Sequence, residues 1–248
     1  MPRPHRIILI RHGESQANVD PKLHSNTPDH RIPLTERGVE QAREAGAKLV
    51  PEFHKSESGS IRIQFYTSPY LRARQTCQLI TDSLKELGVS DFHNYEDPRL
   101  REQDFGNYRH PGEHAALEVE RDEFGTFFYR LPGGESGADV FDRLSGAMDT
   151  MHRDFHKPDF PENMIVVSHG LTIRLFLMRW FHWTVEQFEK LRNPHNCQHY
   201  VLDKLPSEKY QLITTMATWT EEETQAFLAG KKQGTVDMTF TDRAEKQG

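Results

Sequence analysis

Branched apolar residues run without interruption from Ile7 to Ile10 and stop abruptly at Arg11-His12-Gly13. A short run of that kind predicts a strand buried on both faces, as in a parallel α/β sheet, and such sheets carry ligands beyond the carboxyl ends of their strands. The pattern returns at Met164-Ile165-Val166-Val167-Ser168, which also ends in a histidine and a glycine, His169-Gly170. A third strand is expected over 61–67, alternating from Ile61 to Thr67 and running into Ser68-Pro69. Ser68 as N-cap and Pro69 at the first helical position would start a helix there, with Arg72 in its first turn.

Between these strands the apolar positions fall at helical spacing. Thr35 caps a helix whose inward positions are Val39, Ala42, Gly46 and Leu49, ended by Pro51. Ala73, Cys77, Ile80, Leu84 and Leu87 repeat along the next, up to a stop at Gly88. Ser136 opens another, with Phe141, Leu144, Met148, Met151 and Phe155 on its inward stripe. Two helical segments separated near Trp183-Thr184 follow the second histidine, and His199 to Leu202 and Tyr210 to Thr214 read as strands. Gln16 to Arg31 is polar and irregular and predicts a loop lining a site. Residues 97–106, punctuated by Pro98 and Gly106, predict another. Residues 107–134 read as an excursion from the sheet, with an acidic helix over His114 to Phe124, placed as a cap over the site. Beyond about Thr220 few apolar residues remain, so 220–248 predicts a polar tail or surface helix. The expectation is a single α/β domain over 1–219.

A chain of 248 residues can bury the core of one such domain. The formal net charge of −6 argues against a nucleic-acid or anionic-membrane binder and makes a local arginine cluster more informative. Cys77 and Cys197 lie in or beside apolar segments without metal-like spacing, and read as core thiols. The first apolar run is too short for a signal peptide or a membrane span. A soluble, cytoplasmic protein is expected. His110-Pro111-Gly112-Glu113-His114 looks like metal spacing, but its Pro-Gly opposes the helical geometry that would bring both imidazoles to one ion, so it predicts a polar loop. Neither metal nor cofactor is expected.

The strand ends would bring Arg11, His12, Arg72 and His169 to one sheet edge. Two guanidinium forks facing two imidazoles make a pocket for a phosphate dianion, because the planar donors of arginine match phosphate oxygens in pairs. Surrounding cations favour a neutral histidine, whose free ring nitrogen can attack phosphorus. His12 is the candidate nucleophile, and Glu102, in the loop before Gly106, is the candidate proton donor for the leaving alkoxide. A proton donor of that type predicts an acidic optimum.

Arg11-His12-Gly13-Glu14, Leu34-Thr35-Glu36-Arg37-Gly38, Ser68-Pro69-x-x-Arg72-Ala73, Leu100-x-Glu102 and Ser168-His169-Gly170 resemble, in order and context, the motifs of the histidine phosphatase superfamily, the phosphoglycerate-mutase-like proteins. The resemblance implies a three-layer sandwich with a mostly parallel central sheet flanked by helices. It implies a phosphohistidine at His12, held by Arg11, Arg72 and His169, with Glu102 as general acid and Asn18 reaching the phosphate. Ser25 and Gly170 are added as substrate-binding residues, whereas Arg74 would point away. Pro132-Gly133-Gly134-Glu135-Ser136-Gly137-Ala138-Asp139 looks like a fungal and plant branch of broad-range acid phosphatases.

Phosphoglycerate mutases carry a Gly-Trp motif where this chain has His24-Ser25-Asn26-Thr27-Pro28-Asp29-His30, and no second arginine pair is evident in the 107–134 insertion, where Arg109, Arg121 and Arg130 are scattered. The expected function is therefore a metal-independent, broad-range phosphomonoesterase acting on a small phosphorylated substrate. A phosphomutase is the alternative. A catalytically silent phosphoryl-binding module is disfavoured by the intact set Arg11, His12, Arg72, Glu102 and His169. Neither the physiological substrate nor an oligomeric state is legible in the pattern.

Overall fold

A computed structural model describes residues 3–106 and 111–232. In chain order the elements are β1 (Arg6–Arg11), α1 (Gln16–Val19), α2 (Glu36–Leu49), β2 (Arg62–Thr67), α3 (Leu71–Glu86), β3 (Asp91–Glu96), α4 (Pro111–Phe124), α5 (Gly137–Asp154), β4 (Asn163–Ser168), α6 (Gly170–Phe181), α7 (Val185–Glu189), β5 (His199–Lys204), β6 (Tyr210–Leu212) and α8 (Glu221–Lys232).

The strands form one sheet in the order β3-β2-β4-β1-β5-β6. Strands β3, β2, β4 and β1 run parallel, and β5 and β6 add an antiparallel edge. Ile7, Ile8, Leu9 and Ile10 are completely buried because β1 lies inside this sheet with helices on both faces. Alternation sends Ile7 and Leu9 to one face, with Leu144, Met148 and Met151 of α5 and Leu175 of α6. It sends Ile8 and Ile10 to the other, with Leu49 of α2 and Ala73, Cys77, Ile80 and Leu84 of α3. The result is the expected three-layer sandwich. Each fully buried Ile or Leu contributes about 1.5–3 kcal/mol by leaving water.

The register positions the site. Arg11 pairs with Ser168 and Thr67 with Val167, so β1, β2 and β4 end at one level. His12, Ser68 and His169 leave the sheet side by side. Ser136 caps α5 through a reciprocal box with Asp139, as its sequence announces.

Several elements differ from the sequence reading. Helix α3 starts at Leu71 with Tyr70 at the N-cap, and Ser68 does not cap it. Leu87 is 53% exposed, because the helix has ended before it and Gly88 takes a positive φ. The 16–31 stretch is not wholly irregular: it holds α1 and two 3-10 turns, Pro21–Ser25 and Asp29–Arg31. Strand β3 is an addition. Its Asp-Phe-His-Asn-Tyr-Glu sequence is largely exposed, which suits a charged edge strand and hides it from a search for apolar runs. The expected 210–214 strand stops at Leu212. Helix α4 begins at Pro111, so Pro-Gly opens a helix where a polar loop is expected. His110 of the candidate metal spacing lies outside the described residues, as do residues 233–248 of the tail, whose first part is α8. Among the described residues no helix is long and apolar enough to cross a membrane.

Candidate active site

The turn after β1 is fixed from several sides. His12 N–H donates to the Ser168 carbonyl at 3.0 Å, and the His12 carbonyl accepts from Asn196 Nδ2 at 3.1 Å and from Cys197 N–H at 3.3 Å. Gly13 N–H donates to Thr76 Oγ1 at 3.0 Å. Only glycine fits at 13, because a Cβ there would lie 2.5 Å from the carbonyl oxygen of Gly38, at the start of α2. The Arg-His-Gly turn and the Thr-Glu-Arg-Gly helix start are thus one packing unit.

The hydrogen bonds of His12 define its tautomer. Nδ1 lies 2.7 Å from the Gly13 carbonyl, which can only accept, so Nδ1 carries the proton. Nε2 is then a bare lone pair, and it accepts from Nε–H of Arg72 at 3.3 Å. Burial first, then the charges of Arg72 and Arg11, push the His12 pKa well below its ordinary value, outweighing the Gly13 contact. His12 is therefore a neutral imidazole, 4% exposed, at the floor of a cleft.

His169 lies edge-on to it, with ring centroids 5.1 Å apart. Ser68 Oγ accepts from Tyr70 N–H at 3.4 Å and forms a hydrogen bond with His169 Nε2 at 2.7 Å. His169 Nδ1 is buried with no partner among the described residues. Burial and then Arg72 hold this imidazole neutral as well. Arg11 is buried and donates through Nη1 to the Pro194 carbonyl at 2.6 Å.

Glu102 enters from the loop after Leu100. Its Oε1 accepts from Thr172 Oγ1 at 3.1 Å and from Gln103 N–H at 3.0 Å, which leaves Oε2 for the cleft. The loop is held by Arg143, which donates to the carbonyls of Arg99 at 2.5 Å and Glu102 at 3.1 Å. Arg143 also pairs with Glu135 at 3.0 Å, and Arg101 pairs with Glu135 at 2.6 Å. Burial disfavours the Glu135 carboxylate, but Arg143, the Asp104 N–H and Arg101 outweigh it and keep its pKa below the ordinary range.

The cleft is small and opens to solvent on one side. Its lining includes Arg11, His12, Asn18, Arg72, Glu102 and Gly170, and His169 lies buried just behind. Asn18 Oδ1 is occupied by Ser15 and Asn196, so its NH2 is what it offers the cleft. Ser25 ends a 3-10 turn and is not among the lining residues; His24 and Asp29 form that wall instead. Arg121 of α4, Arg174 of α6, Phe105 and Leu171 also line the cleft, with the Arg121 guanidinium 5.8 Å from the Phe105 ring centroid. No group of three or more His, Cys, Asp or Glu side chains able to hold a metal ion occurs among the described residues.

The sequence profile of the histidine phosphatase superfamily (branch 1) matches residues 7–213. The chain belongs to this superfamily. Two relatives of this histidine phosphatase show how far the likeness reaches. Phosphoglycerate mutase-like protein AT74 of Arabidopsis thaliana is 44% identical over 228 residues, covering 87% of this chain and 72% of the relative. Broad-range acid phosphatase DET1 of Saccharomyces cerevisiae is 32% identical over 307 residues, covering 89% and 92%. A solved mycobacterial structure, Mycobacterial hydrolase 1, superposes with a TM-score of 0.66 at 21% identity over 88% of this chain and all of that one, and so shares the fold.

What sequence reasoning missed in this histidine phosphatase is the support. Ser68 is read as a cap, and Thr172, three residues after His169 on the same helical face, carries a signal that goes unused. Asp29, Arg143 and Asn196 have no motif or periodicity, because each works through a contact distant in the chain, and Glu135 lies in the 132–139 segment without its contact to Arg101 being legible there.

Proposed function

We propose that this histidine phosphatase hydrolyses phosphate monoesters through a phosphohistidine on His12. The observation that carries the reading is the His12 tautomer: Nδ1–H locked to the Gly13 carbonyl, and a bare Nε2 beneath the cleft. Nε2 attacks phosphorus in line with the ester oxygen; the N–P bond forms as the P–O bond breaks. Arg72 Nε–H, which rests on the Nε2 lone pair, passes to a phosphoryl oxygen. Arg11, His169 and the Asn18 NH2 supply the other donors. Glu102 Oε2–H protonates the leaving alkoxide. The resulting carboxylate then takes a proton from the water that attacks the N–P bond, and inorganic phosphate leaves.

The positive charge in this scheme is carried by guanidiniums that do not titrate, so turnover needs no metal. Breadth toward leaving groups is supported by the wall of Ala17, Phe105 and Leu171, which grips apolar groups without directional demands, and by the name of the yeast relative. Gly170, at the first turn of α6, opens its N-terminus to the phosphoryl group. Cys77 and Cys197 are free thiols, which fits a reducing, cytoplasmic setting.

Phosphate release from an aryl phosphate, with chelator present, tests the reading: activity is expected in the wild type and lost in His12→Ala. Activity abolished by chelator, or retained in the variant, would overturn it. One observation favours a mutase as second reading: Arg121 and Arg174 can meet a second anionic group. A mutase would instead require a bisphosphate and release little phosphate.

A further inference from the structure

Asp29 stands in a 3-10 turn 43 residues from Arg72 in sequence, yet its carboxylate reaches into the cleft and takes that arginine. Arg72 Nη1 donates to Asp29 Oδ1 at 2.9 Å and to the Asp29 carbonyl at 2.8 Å, and Nη2 donates to Oδ2 at 3.1 Å. The end of the guanidinium fork is thereby held. Its other edge, led by Nε, is the one turned onto His12 Nε2 at 3.3 Å. Tyr70 backs the group, with its ring centroid 5.0 Å from the Arg72 carbon. His24 Nδ1 lies 3.5 Å from Asp29 Oδ1 on the far side.

We propose that Asp29 is a positioning residue: by gripping the Nη1/Nη2 end of Arg72 it aims the Nε edge at the phosphoryl group on or approaching His12. The proposal rests on the reading of His12 as the phosphoryl acceptor. A long arginine side chain loses rotamer freedom when fixed, and a donor fixed before the ligand arrives does not have to be ordered by it. A phosphoryl oxygen above Nε2 meets Nε–H without moving Asp29, because the two use different edges of one planar group.

The sign of the effect separates this role from its opposite. A carboxylate beside a dianion site opposes binding by Coulomb repulsion, so a carboxylate that merely occupied the site would, on removal, tighten phosphate binding. A positioning carboxylate does the reverse. The experiment titrates inorganic phosphate by calorimetry and measures aryl phosphate turnover for the wild type, Asp29→Ala, Asp29→Asn, Arg72→Ala and the Asp29→Ala/Arg72→Ala pair.

Asp29→Ala is expected to weaken phosphate binding and lower kcat/KM, each by about tenfold. Asp29→Asn, which keeps an acceptor for Arg72, should lie between. In the Arg72→Ala background, Asp29→Ala should change phosphate binding little further. Unchanged or tighter phosphate binding in Asp29→Ala, or an equal loss without Arg72, overturns the proposal. If Asp29→Ala fails to fold, Asp29→Asn decides by the same signs. Phosphate binding needs no turnover, so a wild type that binds phosphate and shows these losses but hydrolyses no ester would remove the phosphatase reading and leave the role of Asp29 standing.

Discussion

Replacing His12 by Asn should flatten the fall of stability on the acid side of neutrality. In the folded protein, burial and then Arg72 and Arg11 hold the His12 pKa well below its ordinary 6.5. An unfolded chain has no such environment, so as pH drops below about 6.5 its imidazole takes a proton that the folded one refuses. The unfolded state then binds more protons, and stability falls with pH; above that value the penalty is absent. At about pH 5 the penalty is about 2 kcal/mol for a histidine that stays neutral when folded. His169 behaves alike, burial being the first cause and Arg72 the next. His5, His24, His152 and His199 are also lowered, so the wild-type slope includes them, and the difference between proteins reports His12 together with its smaller influence on His169. Urea unfolding at about pH 7 and pH 5 measures that difference. The loss between the two should be about 2 kcal/mol smaller in His12→Asn than in the wild type. Equal losses would mean that His12 takes its proton in the fold as readily as outside it. Its Nε2 would then not be the lone pair on which the mechanism depends.

Three further outcomes follow from the supports of the cleft. Ser68→Ala removes the hydroxyl hydrogen-bonded to His169 Nε2 and so loosens the orientation and tautomer of the ring, so kcat/KM for an aryl phosphate should fall about tenfold with little change in melting temperature. Glu135→Ala releases Arg101 and the Asp104 N–H of the loop that carries Glu102 and removes the anion that orients Arg143 onto it, so kcat should fall more than KM rises, and limited proteolysis should find the 99–104 loop more open. Gly13→Ala forces a Cβ against the Gly38 carbonyl and should cost about 2 kcal/mol or more, read as a lower urea midpoint.

The layers of the fold were open to reading because their residues obey a period. Ile7 to Ile10 and Met164 to Val167 are continuous apolar runs, and each sits in the sheet interior as such runs demand. The Ser136 helix shows both its cap and its stripe. Strand β3 escaped for the complementary reason: an edge strand with polar side chains on both faces has no hydrophobic period to detect. The same division holds at the cleft. Arg11, His12, Arg72 and His169 stand at strand ends or in a helix start, where position follows from the element. Asp29, Arg143 and Glu135 reach the site through contacts 43, 41 and 34 residues away in sequence, and no local period encodes those contacts. Ser68 was visible but misassigned, because serine before proline satisfies the rule for a helix cap while the register of β2 against β4 gives it a different partner.

The most direct test of the account is to mix the protein with an aryl phosphate, quench in alkali, which preserves phosphohistidine, and map the modified peptide by mass spectrometry. A phosphoryl adduct on His12, absent from His12→Ala and formed with chelator present, is the predicted result. Turnover that proceeds in His12→Ala, or an adduct carried by another residue, would contradict it.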